Sequence, residues 1–246
     1  MKRLSKKQIK NLYHVDSSHQ WMEIISDKEE TNPHFKTYLN QKRRLENLLK
    51  FIKFNSKFHV AEYGCGNGIW GELIHQKVKS YIGVDFSTQF INLANKRHKA
   101  LNIRNSKFEC DDIVKFSKKH NNEFDQAFTM DFSEHIYDND FISIFTAIRN
   151  TLKPNGKLYL HTPNGDYFLE QMKKHGILKQ SLGHIGIRNA NEHIKLLEKV
   201  GYKNIKISYL PHYLKPLSVL HFASYLPIIG RFFKARLLIQ ANSTHP

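Results

Sequence analysis

The sequence predicts an α/β protein with a mostly parallel sheet and a nucleoside-cofactor site beside its first strand. Three observations carry this. The apolar run His59-Val-Ala-Glu62-Tyr63 meets alternate glycines in Gly64-Cys65-Gly66-Asn67-Gly68, and a helical pattern (Trp70, Leu73, Ile74) starts at once. Glycine allows so tight a turn while leaving backbone N–H groups open to a ligand at a helix N-terminus. A carboxylate, Asp85, closes a second apolar run about twenty residues on, where an acid holds ribose hydroxyls. Beyond it, strand-like and helix-like segments alternate, the pattern of a parallel sheet covered by helices.

Each element has its own signal. Residues 1–30 are charged, with five Lys or Arg in the first ten, and read as an extension or partial lid. A helix is expected over 37–54, so that residues 1–54 precede a domain of 55–246. The first strand is placed at 58–63 and the second at 80–85, and Ser87 starts a helix carrying Phe90, Ile91 and Ala94. Strands follow at 107–110 and 125–130. Phe141, Ile144, Phe145, Ile148 and Leu152 share one helical face, ended by Pro154-Asn155-Gly156. A fifth strand (157–162), a helix (190–200) stopped at Gly201, a sixth strand (204–210) and a last strand (235–240) complete the order.

Composition narrows the class. A chain of 246 residues, 40% hydrophobic, buries a full core. Two cysteines exclude a disulfide scaffold, and no apolar run reaches the roughly twenty residues of a membrane span. The Lys-rich N-terminus lacks a signal-peptide core, so a cytoplasmic protein is expected, with peripheral contact at the inner face of a membrane as its variant. The formal net charge is +16, and no Asp or Glu follows Glu198, leaving Lys199, Lys203, Lys206, Lys215, Arg231, Lys234 and Arg236 uncompensated. These cations flank an apolar, aromatic insertion at 211–233, broken by Pro211, Pro216 and Pro227. The insertion either packs on the sheet, roofing a pocket, or lies in the headgroups of an anionic membrane. A basic face also attracts nucleic acid, but the cations are mostly lysine, where base reading favours arginine.

The glycine spacing departs from that of dinucleotide sites. Dinucleotide sites use G-x-G-x-x-G, whereas here Glu62 precedes G-x-G-x-G and no cation in the loop meets a phosphate. The motif resembles that of class I S-adenosylmethionine-dependent methyltransferases, and the resemblance continues through Asp85, Phe108-Glu-Cys-Asp111-Asp112, Phe124-Asp125 and Leu152-Lys-Pro-Asn-Gly156. It implies a Rossmann-like, seven-stranded sheet with a reversed last strand and helices on both faces. It also implies S-adenosylmethionine as cofactor. Glu62, Tyr63, Gly64, Cys65, Gly66, Asn67 and Gly68 would shape the methionine pocket, and Asp85 and Phe86 the ribose side. Asp111 or Asp112 would contact the adenine, Asp112 being the closer match, and Met130 would also line the cofactor.

Acceptor chemistry belongs at the carboxyl ends of the fourth and fifth strands. The fourth runs into Met130-Asp131-Phe132-Ser133-Glu134-His135, without the N/D-P-P-Y/F run of amino-directed nucleic-acid enzymes. The segment resembles E-x-x-E-H of the ubiquinone-biosynthesis O-methyltransferases, with Asp131 for the first glutamate. His161-Thr162-Pro163-Asn164 and Gly183-His184-Ile-Gly-Ile-Arg188 resemble further segments of that group. The likeness implies a small, hydrophobic or lipid-linked acceptor, and Mg²⁺ or Zn²⁺ held by Asp131, Glu134 and His135. Without a metal, His135 or His161 would be the general base, with Glu134 beside it. Glu134-His135 as a simple helix cap, an RNA- or protein-modifying enzyme using the basic face, and a non-catalytic subunit at a membrane remain alternatives.

Overall fold

The computed structural model describes residues 17–181 and 183–244. Residues 1–16 of the expected extension lie outside them. The chain divides between Ile113 and Val114 into two compact units.

The first unit contains α1 (Phe35–Glu46), β1 (His59–Tyr63), α2 (Ile69–Ile74), β2 (Ser80–Asp85), α3 (Thr88–Ala100) and β3 (Ser106–Cys110). Its strands are parallel, in the order β3-β2-β1. Strands β1 and β2 are buried along almost their whole length, which is why they read as unbroken apolar runs. Ser87 caps α3 by accepting from the Phe90 N–H, and the helix buries Phe90, Ile91 and Ala94. Gly83 is fixed by close approach, since a Cβ there would lie 2.7 Å from the Phe108 ring. The expected helix 37–54 stops at Glu46, followed by a 3-10 turn (Leu49–Phe51) and an extended Ile52.

The second unit contains α4 (Ile113–Ser117, beginning at the division), β4 (Phe124–Met130), α5 (Asp138–Thr151), β5 (Leu152–Pro163), α6 (Phe168–Lys174), α7 (Ala190–Val200), β6 (Tyr202–Leu210), α8 (Lys215–Val219) and β7 (Arg236–Ser243). Strand order is β4-β5-β7-β6; β4 and β5 are parallel, and β7 runs antiparallel to both β5 and β6. All seven expected strands form, and the last is the reversed one.

The α5 helix buries Phe141, Phe145 and Ile148 as its periodicity requires. It passes directly into β5 at Leu152, five residues earlier than expected from Pro154-Asn-Gly. Leu152 pairs with Phe124, the register shifts, and pairing resumes at Lys157 with Gln126. Pro154 and the left-handed Asn155 (φ 61°) lie within that irregularity, where a missing N–H is tolerated. The α7 helix has a full capping box, Asn189 with Glu192, and ends at Gly201 in the left-handed conformation (φ 98°).

Candidate functional site

In the first unit, the carboxyl ends of three parallel strands bring the glycine loop, Asp85 and Asp111 together. Gly64, Gly66 and Gly68 all take positive φ (74°, 52° and 77°), a backbone other residues adopt only under strain. The loop is tied to β2, because the Gly64 and Cys65 N–H groups both donate to the Val84 carbonyl (2.8 and 3.1 Å). Asp85 is buried, and its two oxygens accept from different backbones, Gly66 N–H at 3.0 Å and Ser87 N–H at 2.9 Å. Each carboxylate oxygen has two lone pairs, so Asp85 can hold loop and ligand hydroxyls together. Asp111 donates its N–H to the Asp85 carbonyl (3.1 Å) and accepts the Asp112 N–H (2.8 Å), while Asp112 itself is exposed. Phe86 is half-buried beside Asp85.

Beneath the loop, Glu62 is buried and takes a short hydrogen bond from the Tyr81 hydroxyl. Burial, reinforced by the Asp85 and Glu62 charges, pushes the Cys65 thiol well up, so it is an inert packing group. Across the loop lies the segment 22–25. Asn67 donates its side-chain amide to the Met22 carbonyl (2.8 Å), and a Cβ on Gly66 would meet Met22 Cε at 2.9 Å. Arg97, from α3 and 1% exposed, fastens this layer. It donates to the carbonyls of Asn67 (3.1 Å), Ile25 (3.0 Å) and Ile24, and to Glu72 (2.9 Å). These residues fit S-adenosylmethionine: carboxylates suit its hydroxyls and ammonium, and the loop has no cation for a phosphate.

In the second unit, a polar cluster stands where β4, β5 and β7 meet. Met130 is buried at the end of β4. Asp131 turns the chain in a left-handed conformation (φ 55°), a strained backbone for a non-glycine residue. Its carboxylate accepts a short charged hydrogen bond from Arg236. Arg236 also donates from Nε to His161 Nε2 (3.0 Å), and His161 Nδ1 lies 3.1 Å from the Asp131 carboxylate. Both ring nitrogens of His161 therefore face protein groups, an arrangement that orients Asp131 and Arg236. Arg236 had read as one of the uncompensated cations of the tail; it is buried and ion-paired.

Glu134 and His135 follow on a short turn that is clamped from a distance. Arg188, 4% exposed, donates to the carbonyls of Ser133 and Ile136 and to the Asp138 carboxylate, each at 2.8 Å. The Gly186 N–H donates to the Glu134 carbonyl (2.8 Å), and His135 Nδ1 lies 2.9 Å from the Gly183 carbonyl. The 183–188 segment thus builds the acid–histidine turn.

Glu134 is fully buried and accepts from the Thr162 hydroxyl (3.0 Å). Burial, then the Asp131 charge, raises its pKa to about 8 despite the opposing Arg236. Burial lowers His135, keeping it neutral, and takes His184 down to about 3, aided by His135 and nearby cations. The ligand atoms of Glu134, His135 and His184 lie within 4.8 Å of one another. Of the three expected metal ligands, Asp131 instead faces Arg236 and His161. One carboxylate with two neutral imidazoles, one of them backed by a carbonyl, fits a divalent cation such as Zn²⁺. The sequence singles out the His161–Asn164 and Gly183–Arg188 runs and counts Arg236 among the tail cations, but gives His184, Arg188, Thr162 and Arg236 no role in the site.

Residues 34–207 match the methyltransferase-domain family. A ubiquinone biosynthesis O-methyltransferase from Coxiella burnetii is 31% identical over 125 residues, 50% of this chain and 51% of that protein. The cyclopropane-fatty-acyl-phospholipid synthase of Escherichia coli is 25% identical over 126 residues, 50% of this chain and 30% of that protein. The chain thus spans about half or less of the length of these curated relatives. The crystal structure of a SAM-dependent methyltransferase from Archaeoglobus fulgidus superposes with a TM-score of 0.61 at 15% identity. It covers 82% of this chain and 94% of that one, which shows the fold. With the glycine loop, Asp85 and this family match in agreement, the chain belongs to the S-adenosylmethionine-dependent methyltransferases.

Proposed function

We propose that the protein transfers the methyl group to a small, hydrophobic or lipid-linked acceptor, an aromatic hydroxyl of quinone-precursor type being its sharpest form. The observation that carries this is the Glu134–His135–His184 cluster at the carboxyl end of β4, the end at which such sheets bind substrates. Both curated relatives described above are also named for lipid-soluble products.

In the transfer, the acceptor oxygen attacks the sulfonium methyl in line. A C–O bond forms as the C–S bond breaks, and S-adenosylhomocysteine leaves. The chain's share is positioning and proton removal. His135 is held neutral by burial, the state a general base needs, and Arg188 and Gly186 fix the turn that carries it. Glu134, anchored by Thr162, lies beside it, and its raised pKa keeps it a neutral neighbour there, so the proton goes to His135. A divalent cation, if held, would sit on Glu134, His135 and His184 and act as a Lewis acid that acidifies the hydroxyl.

The test is transfer of labelled methyl from S-adenosylmethionine into a cell extract, followed by organic extraction. Label in the organic phase is expected, falling about a hundredfold or more with His135→Ala. Label confined to the aqueous phase, in RNA or protein, overturns the acceptor class.

A further inference from the structure

Residues 213–231, which link β6 to β7 through α8 and two 3-10 turns, carry an apolar surface that the methyl-transfer chemistry does not use. Val219, Phe222, Tyr225 and Ile228 are 65%, 68%, 85% and 91% exposed, and Leu226 and Ile229 are about half exposed at 47%. The ends of the segment are anchored. The His212 ring stacks 5.9 Å from Tyr167, and Phe233 lies 6.1 Å from Phe168, at the start of α6. Between these anchors the tip is held tightly. The Leu226 N–H donates to the Ala223 carbonyl (3.1 Å) and the Gly230 N–H to the Leu226 carbonyl (3.0 Å). Gly230 allows that closure, since a Cβ would lie 2.4 Å from the Ser224 carbonyl oxygen. Ile228 is left-handed (φ 65°), a conformation that β-branched residues scarcely adopt, and it is nearly fully exposed. A strained isoleucine held into solvent is costly unless something apolar receives it.

We propose that this segment is a docking surface for an anionic lipid bilayer. Lys215 and Arg231 flank it in exposed positions, Lys234 lies 4.2 Å over the Tyr209 ring, and no acid occurs after Glu198. Those charges select the occupant. A second copy of the same face would set like charges against each other. A nucleic acid would match the cations but leave the apolar side chains in water. An anionic headgroup layer matches both, with the apolar tip in the acyl boundary and the cations among the phosphates. No described helix is long and apolar enough to cross a membrane, so the contact is interfacial.

The test is co-sedimentation of the full chain with vesicles of phosphatidylcholine alone and of phosphatidylcholine containing about one-third phosphatidylglycerol. Binding is expected to the anionic vesicles and to weaken as salt rises. Phe222→Ser with Tyr225→Ser and Ile228→Ser should lower the partition coefficient at least about tenfold while S-adenosylmethionine binding stays unchanged. The pair Lys215→Glu and Arg231→Glu keeps the apolar tip and should lose the preference for anionic vesicles. Absence of vesicle binding, or equal binding by wild type and both variants, overturns the proposal. So does a dimer in light scattering that the triple substitution converts to monomer. None of these readouts depends on which acceptor is methylated, so the two proposals fail separately.

Discussion

Arg236 donates a short charged hydrogen bond to Asp131 across 105 residues of chain, joining the first residue of β7 to the residue just after β4. Arg236→Met keeps the bulk and removes the charge, leaving the Asp131 carboxylate beside buried Glu134 with its counter-charge gone. Breaking a buried pair from one side costs on the order of 3 kcal/mol. Chemical denaturation should show a loss of that size, with S-adenosylmethionine affinity unchanged in the protein that remains folded. A stability equal to wild type would show that the pair adds nothing.

Asp85 joins the Gly66 and Ser87 backbones, so its removal should loosen the loop as well as delete a ligand acid. Asp85→Ala is expected to weaken S-adenosylmethionine binding at least about tenfold in calorimetry, with two backbone donors losing their acceptor at about 1–3 kcal/mol each. Asp112→Ala, by contrast, should change affinity little, because that side chain is exposed and Asp111 accepts its N–H. The reverse ranking would place the adenine contact at Asp112.

A pH effect follows from His193. It is buried on α7, with Nδ1 3.0 Å from the Asn189 carbonyl and Nε2 3.3 Å from the Ser133 hydroxyl. Burial, with the nearby Arg188 charge, lowers its pKa to about 4. The unfolded chain takes up this proton near pH 6.5, before the folded one does. The stabilisation is therefore complete above about pH 6.5 and is lost as pH falls towards 4, a loss of order 3 kcal/mol. His193→Gln should flatten that part of the stability–pH curve in urea titrations at pH 7 and about 4.5. Parallel curves for the two proteins would remove His193 from the account.

Gly186 faces the turn that carries Glu134 and His135. A Cβ there would lie 2.1 Å from the Ile136 carbonyl oxygen and 2.9 Å from the Arg188 guanidinium. Gly186→Ala is expected to displace the turn and lower kcat about a hundredfold, while cofactor affinity holds. An unaltered kcat would separate the turn from the reaction.

What could be read in the sequence was local. The Ser87 cap and the end of α7 at Gly201 are set by neighbours a few residues apart, and the glycine loop and Asp85 by a fixed spacing of about twenty residues, and each stands where its signal put it. The acid–histidine turn could be named from Glu134-His135, but its supports could not. The Gly183 carbonyl is 48 residues from His135, and Arg188 is 55 from Ser133. Arg236 was misread because an arginine in an acid-free tail looks uncompensated until the sheet brings Asp131 beside it. The α4 and α6 helices are too short to show a period.

The position of β7 bears on how the second unit comes into being. It is made after β6, yet it lies between β5 and β6 and is hydrogen-bonded to both. During synthesis β6 has no native edge to pair with, and the β5 edge stands open until residues 236–243 have left the ribosome. Such an edge, rich in Leu158, Tyr159 and Leu160, is a template for mispairing with other chains. The sheet of this unit is therefore closed by a strand laid between two made before it, and Arg236, the first residue of β7, carries the Asp131 pair into that closure.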